Sequence, residues 1–262
     1  MSGALTMEVF SVTTHDIEMQ NVSFAYHSLP VLENVNLIVD HGEFVTIVGP
    51  NGGGKTTLLK LLLGLLHPDS GVIRVFGEKP EKSRLRTGYV PQQVSLDTKF
   101  PVTVMDVVLL GRLGNRLGGR YSSEDRRIAA RALEEARLSH LANRLFSEIS
   151  GGQRQRALIA RALCVDPVLI LLDEPTANID PEVERNLLEI LQGLNQRMTI
   201  LMVSHDIGFV SQVVERVVCV NRKVVIHPTT EINGTLIKDI YGGDYCMIRH
   251  DHRCSEEGHF HD

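Results

Sequence analysis

One stretch constrains this chain more than any other: Gly49-Pro50-Asn51-Gly52-Gly53-Gly54-Lys55-Thr56-Thr57, which follows the apolar run Phe44 to Val48 and opens the apolar-periodic segment Leu58 to Leu66. A strand that ends in glycines and turns into a helix leaves backbone N–H groups without carbonyl partners, and such donors close around an anion. Gly49, Gly52, Gly53 and Gly54 permit positive φ and carry no Cβ that would hold a pyrophosphate away. Lys55 then reaches the β- and γ-phosphates, and the hydroxyl of Thr56 is placed to coordinate Mg²⁺. The spacing fits the P-loop pattern G-x-x-x-x-G-K-[ST], and the flanking strand and helix supply the context that the pattern needs.

Length and composition narrow the rest. A chain of 262 residues holds one large domain or two small ones with a sizeable core. The longest apolar segment, Leu58 to Leu66, is broken by Lys60 and falls far short of the ~20 residues that cross a bilayer. Met1 to Val12 has no basic region followed by an apolar one, so no secretory signal is read there and the expected location is cytoplasmic. A formal net charge of −5 argues against a surface that binds nucleic acid over the whole molecule. Cys164 and Cys219 lie in apolar runs and read as buried thiols, with no disulfide expected.

Alternating residues from Asp16 to Tyr26 and from Val31 to Asp40 predict two strands joined by a turn at Ser28-Leu29-Pro30. Tyr26 is either an ordinary strand aromatic, which spacing alone favours, or a flat face on which an adenine stacks. Val72 to Phe76 and Thr87 to Pro91 predict further short strands, the second running into Gln92 and Gln93. A glutamine at that end of a strand in an α/β sheet lies where ligands bind. Met105 to Leu113 and Ser123 to Arg137 then predict two helices with no strand between them, a helical insertion. Ser122 to Asp125 caps the second, and its arginines at 126, 127, 131 and 137 read as a solvated face. The glycine-rich link Gly111 to Gly119 is expected to let the insertion shift on the sheet.

Ile149 to Arg156 precedes the periodic run Ala157 to Leu163 and offers a second helix start. There Ser150 is the candidate cap, and Gly151 and Gly152 expose backbone donors. Val168 to Leu172 is continuously apolar and ends in Asp173-Glu174, a buried parallel strand with two carboxylates at the edge where the phosphate loop lies. Asp173 suits Mg²⁺ held through water, and Glu174 suits the polarisation of an attacking water. Beyond them come Asp180, a helix opened by Pro181 and running to Gln196, the buried strand Thr199 to Val203, and His205 just past its end. Asp206 to Glu215 predicts a helix, and Val217 to Val220 and Val224 to Ile226 the closing strands. In the tail, Cys246, His250, His252, Cys254, His259 and His261 form either a site for Zn²⁺ or a neighbouring transition metal, or a polar terminus.

Taken together, these motifs resemble the ATP-binding cassette family, the ATPase subunits of ABC transporters, from Asp16 to about Ile226. The resemblance implies an α/β fold: a P-loop NTPase core with a mixed sheet, an antiparallel β subdomain and a helical insertion. It implies a cassette at residues 14–230, its helical part at about 93–165, and an extension at 231–262. By the same resemblance Tyr26 stacks adenine and Gln92 touches Mg²⁺ from the Q-loop. Ser150, Gly151, Gly152 and Gln153 form the signature motif, with Ile149 in place of the usual leucine. Asp180 is the D-loop aspartate, and His205 is the switch histidine. Two copies of such a chain pack head to tail with ATP between one phosphate loop and the other's signature helix. Ala177 to Asp180, Cys219 to Lys223 before His227, and the tail are similar to subunits that power importers of zinc, manganese or iron. That subgroup implies a separate multi-span membrane permease, a substrate-binding protein outside the membrane and no nucleic acid, with the chain peripheral on the cytoplasmic face. The alternatives are a cassette ATPase for another cargo, or a soluble cassette protein of DNA repair or translation. No long heptad insertion of the kind that second class carries interrupts the motifs.

Overall fold

Two strands open the chain, β1 (His15–Tyr26) and β2 (Leu29–Asp40), with largely alternating burial and antiparallel pairing. The computed structural model describes residues 15–92, 101–115, 120–176, 180–204, 214 and 216–228. The strands turn at His27-Ser28, both at positive φ (49° and 89°), a handedness that suits the twist of paired strands. The turn expected at Ser28-Leu29-Pro30 is thus displaced, since Leu29 and Pro30 already pair with Tyr26 and Ala25. β4 (Ser70–Val75) pairs with the other edge of β1 and completes a three-stranded antiparallel sheet.

The second sheet contains β3 (Phe44–Val48), β5 (Thr87–Val90), β6 (Leu169–Asp173), β7 (Thr199–Val203), β8 (Arg216–Asn221) and β9 (Lys223–Pro228), in the order β5-β6-β7-β3-β8-β9. All neighbours are parallel except β8 and β9, so the sheet is mixed as expected. Every residue of β3, β6 and β7 is buried, because both faces of the sheet are covered. Successive side chains serve opposite cores. Val45, Ile47, Leu169, Leu171, Leu201 and Val203 face the antiparallel sheet, whereas Phe44, Val48, Ile170, Leu172, Ile200 and Met202 face the helices.

Between the two sheets runs α1 (Lys55–Leu62), apolar nearly all round because it is enclosed. It ends four residues before the expected Leu66. Gly64 at φ 61° stops it, with its N–H donating to Leu61 and that of Leu65 to Lys60, the paired bonds of a Schellman cap. A one-turn helix α2 (Pro80–Ser83) follows β4.

The helical insertion contains α3 (Val104–Leu109), α4 (Ser123–Glu135) and the start of α5 (Gly151–Leu163). All three open on reciprocal capping boxes: Thr103 with Asp106, Ser122 with Asp125, and Ser150 with Gln153. α6 (Pro181–Asn195) lies against α5 and β7. The arginines at 126, 127, 131 and 137 are exposed as expected. The link after α3 is pinned at its start, where Arg112 donates to Asp125 at 3.0 Å and to the carbonyl of Cys164 at 2.7 Å. Cys164 and Cys219 are buried free thiols. Among the described residues no helix is long and apolar enough to cross a membrane.

Candidate functional site

The C-terminal ends of β3 and β6 deliver the phosphate loop and Glu174 to one open cleft of about 550 Å³, with Asp173 behind Thr56. Its walls are Tyr26, Val31, Asn51, Gly52, Gly54, Lys55, Thr56, Thr57, Gln92 and Glu174. α1 starts there on Gly54, at φ 105°, with no side chain capping it, so the first-turn donors are left for an anion.

The loop glycines have separate reasons. Gly52, at φ 77°, has open space around a would-be Cβ and leaves the cleft clear. A Cβ on Gly49 would lie 2.0 Å from the carbonyl oxygen of Val220, so that glycine is required by β8 rather than by a phosphate. No local sequence signal reveals that neighbour, because Val220 joins β3 from the far end of the chain.

Charge is concentrated at the floor. Lys55 Nζ donates to the carbonyls of Gly49 at 2.9 Å and Pro50 at 3.0 Å. Burial pulls its pKa down, opposed by the nearby charges of Glu174 and Asp173. Burial raises the pKa of Asp173 and Glu174 adds to that rise, while a hydrogen bond from Thr56 and the charge of Lys55 oppose it. The Thr56 hydroxyl donates to Asp173 at 3.3 Å. An oxygen pair with this charge surplus fits a divalent cation that prefers hydroxyl, carboxylate and water oxygens. Glu174 stands at φ 48°, its N–H donating to Val203 at 3.1 Å, and its carboxylate accepts from Gln92 Nε2 at 2.6 Å.

Tyr26 is partly exposed, its ring perpendicular to that of Phe24 at a centroid separation of 4.9 Å and an interplanar angle of 88°. The ring lines the cleft with Val31, a wall residue that the strand pattern did not single out.

The second set of expected residues stands apart. Ser150, Gly151, Gly152, Gln153 and Asp180 do not line this cleft, nor do Gly49, Pro50, Gly53 and Asp173 of the first set. Ser150 accepts from the N–H of Gln153 at 3.3 Å and its own N–H donates to Gln153 Oε1 at 2.9 Å, so that helix start is already capped by its own side chains. Asp180 is the N-cap of α6 and makes no side-chain cap bond. His205 and the tail residues Cys246, His250, His252, Cys254, His259 and His261 lie outside the described residues. Among the described residues, no group of three or more His, Cys, Asp or Glu side chains is arranged to hold a metal ion.

A protein-family model described as ABC transporter matches residues 32–177. A Chlamydia trachomatis protein named a probable metal transport system ATP-binding protein is 42% identical over 233 residues, covering 87% of this chain and 98% of its own length. The manganese transport system ATP-binding protein MntB of Bacillus subtilis is 37% identical over 248 residues, 93% of this chain and 98% of its own. Among solved structures, an inward-facing ABC transporter of the metal-chelate type aligns with a TM-score of 0.79 at 32% identity, covering 87% of this chain and 88% of that one. A dimeric bacterial ABC transporter cassette aligns with a TM-score of 0.72 at 32% identity, over 81% of this chain and 98% of that one. The nucleotide cleft and these relationships agree, and the chain belongs to the ABC transporter family as an ATP-binding, ATP-hydrolysing subunit.

Proposed function

We propose that this subunit powers the import of a transition-metal ion, of the zinc, manganese and iron class, through a separate multi-span membrane permease. The reading has the chain lie peripherally on the cytoplasmic face, with an extracytoplasmic substrate-binding protein delivering the ion. The observation that carries the chemistry is the convergence of Lys55, Thr56, Gln92 and Glu174 on one cleft, with Asp173 hydrogen-bonded to Thr56. The choice of cargo is supported by relatives named for metal and manganese transport.

In this reading the uncapped start of α1 and the Lys55 ammonium hold the nucleotide's phosphates, and Tyr26 stacks the base. Thr56, Asp173 and Gln92 hold Mg²⁺, which when bound supplies positive charge against the phosphate oxygens. Glu174 accepts the proton of the attacking water, and its contact with Gln92 ties its orientation to the segment that leads into the helical insertion. His205 acts at the γ-phosphate. The signature residues Ser150 to Gln153 and Asp180 close over the nucleotide of a second copy, a role supported by their absence from this chain's own cleft and by the dimeric neighbour.

Glu174→Gln tests the chemical part. We expect nucleotide affinity to be retained, hydrolysis to fall by about 10²–10⁴, and a dimer to persist in sedimentation with MgATP. Wild-type turnover in that variant would remove Glu174 from its role. The cargo is tested by metal accumulation in cells that carry wild-type or Glu174→Gln protein, measured for zinc, manganese and iron. A fall in at least one ion supports the reading, and equal contents of all three count against it.

A further inference from the structure

The two glycines at the start of α5 are not equivalent. A Cβ on Gly151 would meet nothing within 4 Å, whereas one on Gly152 would lie 2.1 Å from Cγ1 of Val183 and 3.4 Å from its Cβ. Gly151 is exposed and Gly152 buried. Val183 stands in the first turn of α6, whose N-cap is Asp180. A β-branched side chain on a helix is held close to one χ1 rotamer, so its methyl does not swing aside cheaply. The absence of a side chain at 152 is therefore what lets α6 approach the start of α5.

We propose that Val183 is a positioning residue for ATP hydrolysis. Seated on Gly152, it locks the Ser150-capped start of α5 to the start of α6 that follows Asp180, so that both move as one body. The inference rests on the reading above that these two starts are presented together to a second copy's nucleotide. A misfit at this seat shifts Ser150 relative to Asp180, and displacements near 1 Å in a catalytic array cost rate steeply. Because neither residue lines the chain's own cleft, the loss falls on kcat and spares nucleotide binding by the single chain.

The test compares full-length wild type, Gly151→Ala, Gly152→Ala, Val183→Ala and the double variant Gly152→Ala/Val183→Ala. Melting midpoint, binding of a fluorescent ATP analogue and steady-state MgATP hydrolysis are measured on each. Gly152→Ala should lower kcat about tenfold or more while analogue affinity stays within about twofold. Its melting midpoint should fall by about 3 °C or more, whereas that of Gly151→Ala should not fall. In the double variant the new methyl occupies the space of the lost one, and kcat should return to within about threefold of Val183→Ala. A double variant as slow as Gly152→Ala, or a Gly152→Ala protein as active and stable as wild type, would overturn the proposal. Recovery of the melting midpoint without recovery of kcat would overturn it too, by showing that Gly152 answers to the nucleotide. Failure of the wild type itself to hydrolyse ATP would count against the reading of the preceding subsection, and the melting data would still report on the Gly152–Val183 seat.

Discussion

Glu174 carries its carboxylate from a backbone position that L residues seldom hold, φ 48° directly after β6. A left-handed non-glycine residue costs about 1–2 kcal/mol, and glycine gives back about 0.5–1 kcal/mol of that through chain entropy. Glu174→Gly should therefore raise the unfolding free energy of the nucleotide-free protein by about 0.5–1 kcal/mol in urea titrations while hydrolysis collapses. Stability and turnover moving in opposite directions would mark the strain as functional; a loss of both would refute it. The thiols give a prediction of different sign. Burial pushes Cys164 up to about 12 and Cys219 up to about 11 from an ordinary 9.0. Native protein at pH 8 should leave both unalkylated by iodoacetamide, as read by peptide mass spectrometry, and denatured protein should lose that protection. As pH rises above the unfolded value, the unfolded chain releases these protons and the folded chain keeps them, so stability should decline over that interval. Substituting both cysteines by alanine should flatten the decline.

Among the elements, α4 is held at its start by one carboxylate with two tasks. One oxygen of Asp125 accepts from the Ser122 N–H at 2.8 Å, and the other accepts from Arg112, with both charged side chains largely buried. Ser122→Ala removes a cap and should cost about 1 kcal/mol. Asp125→Ala also strands the guanidinium and should cost about 3 kcal/mol or more. Urea midpoints of the two variants would separate these effects, and equal losses would mean that the ion pair contributes nothing. The cap of α4 is legible from Ser122-Ser123-Glu124-Asp125, because capping is a rule about neighbours in sequence. So are the phosphate loop and the buried strands of β6 and β7. The partner of Asp125 is not legible, since Arg112 arrives from the previous helical segment with no spacing rule to announce it. The turn at His27-Ser28 escaped for another reason: left-handed geometry there is borne by residues that carry no glycine signal. Val183 is invisible for the same reason as Arg112, and Gly152 pointed to an anion before the structure supplied a methyl group.

Across the whole molecule, the insertion is joined to the sheet chiefly by shared apolar packing. Half-exposed pairs such as Arg137 with Glu189 at 2.9 Å contribute about 0.2–1 kcal/mol each. Each buried leucine in the common core of Leu133, Leu138, Leu187 and Leu191 contributes about 1.5–3 kcal/mol. The sheet order has a wider reach than either. β3, which leads into the phosphate loop, lies between β7 and β8, strands that come near the end of the described chain. A chain stopped at residue 198 lacks both neighbours of β3 and should show no cooperative urea transition by circular dichroism; a sharp one would mean that the remaining layers suffice. The same order sets a timetable for synthesis. The nucleotide-gripping segment leaves the ribosome before either sheet neighbour of β3 and stays unpaired on both edges until they follow. A partly made copy therefore carries the residues of the grip without its shape, and cannot hold a nucleotide until β7 and β8 have joined β3.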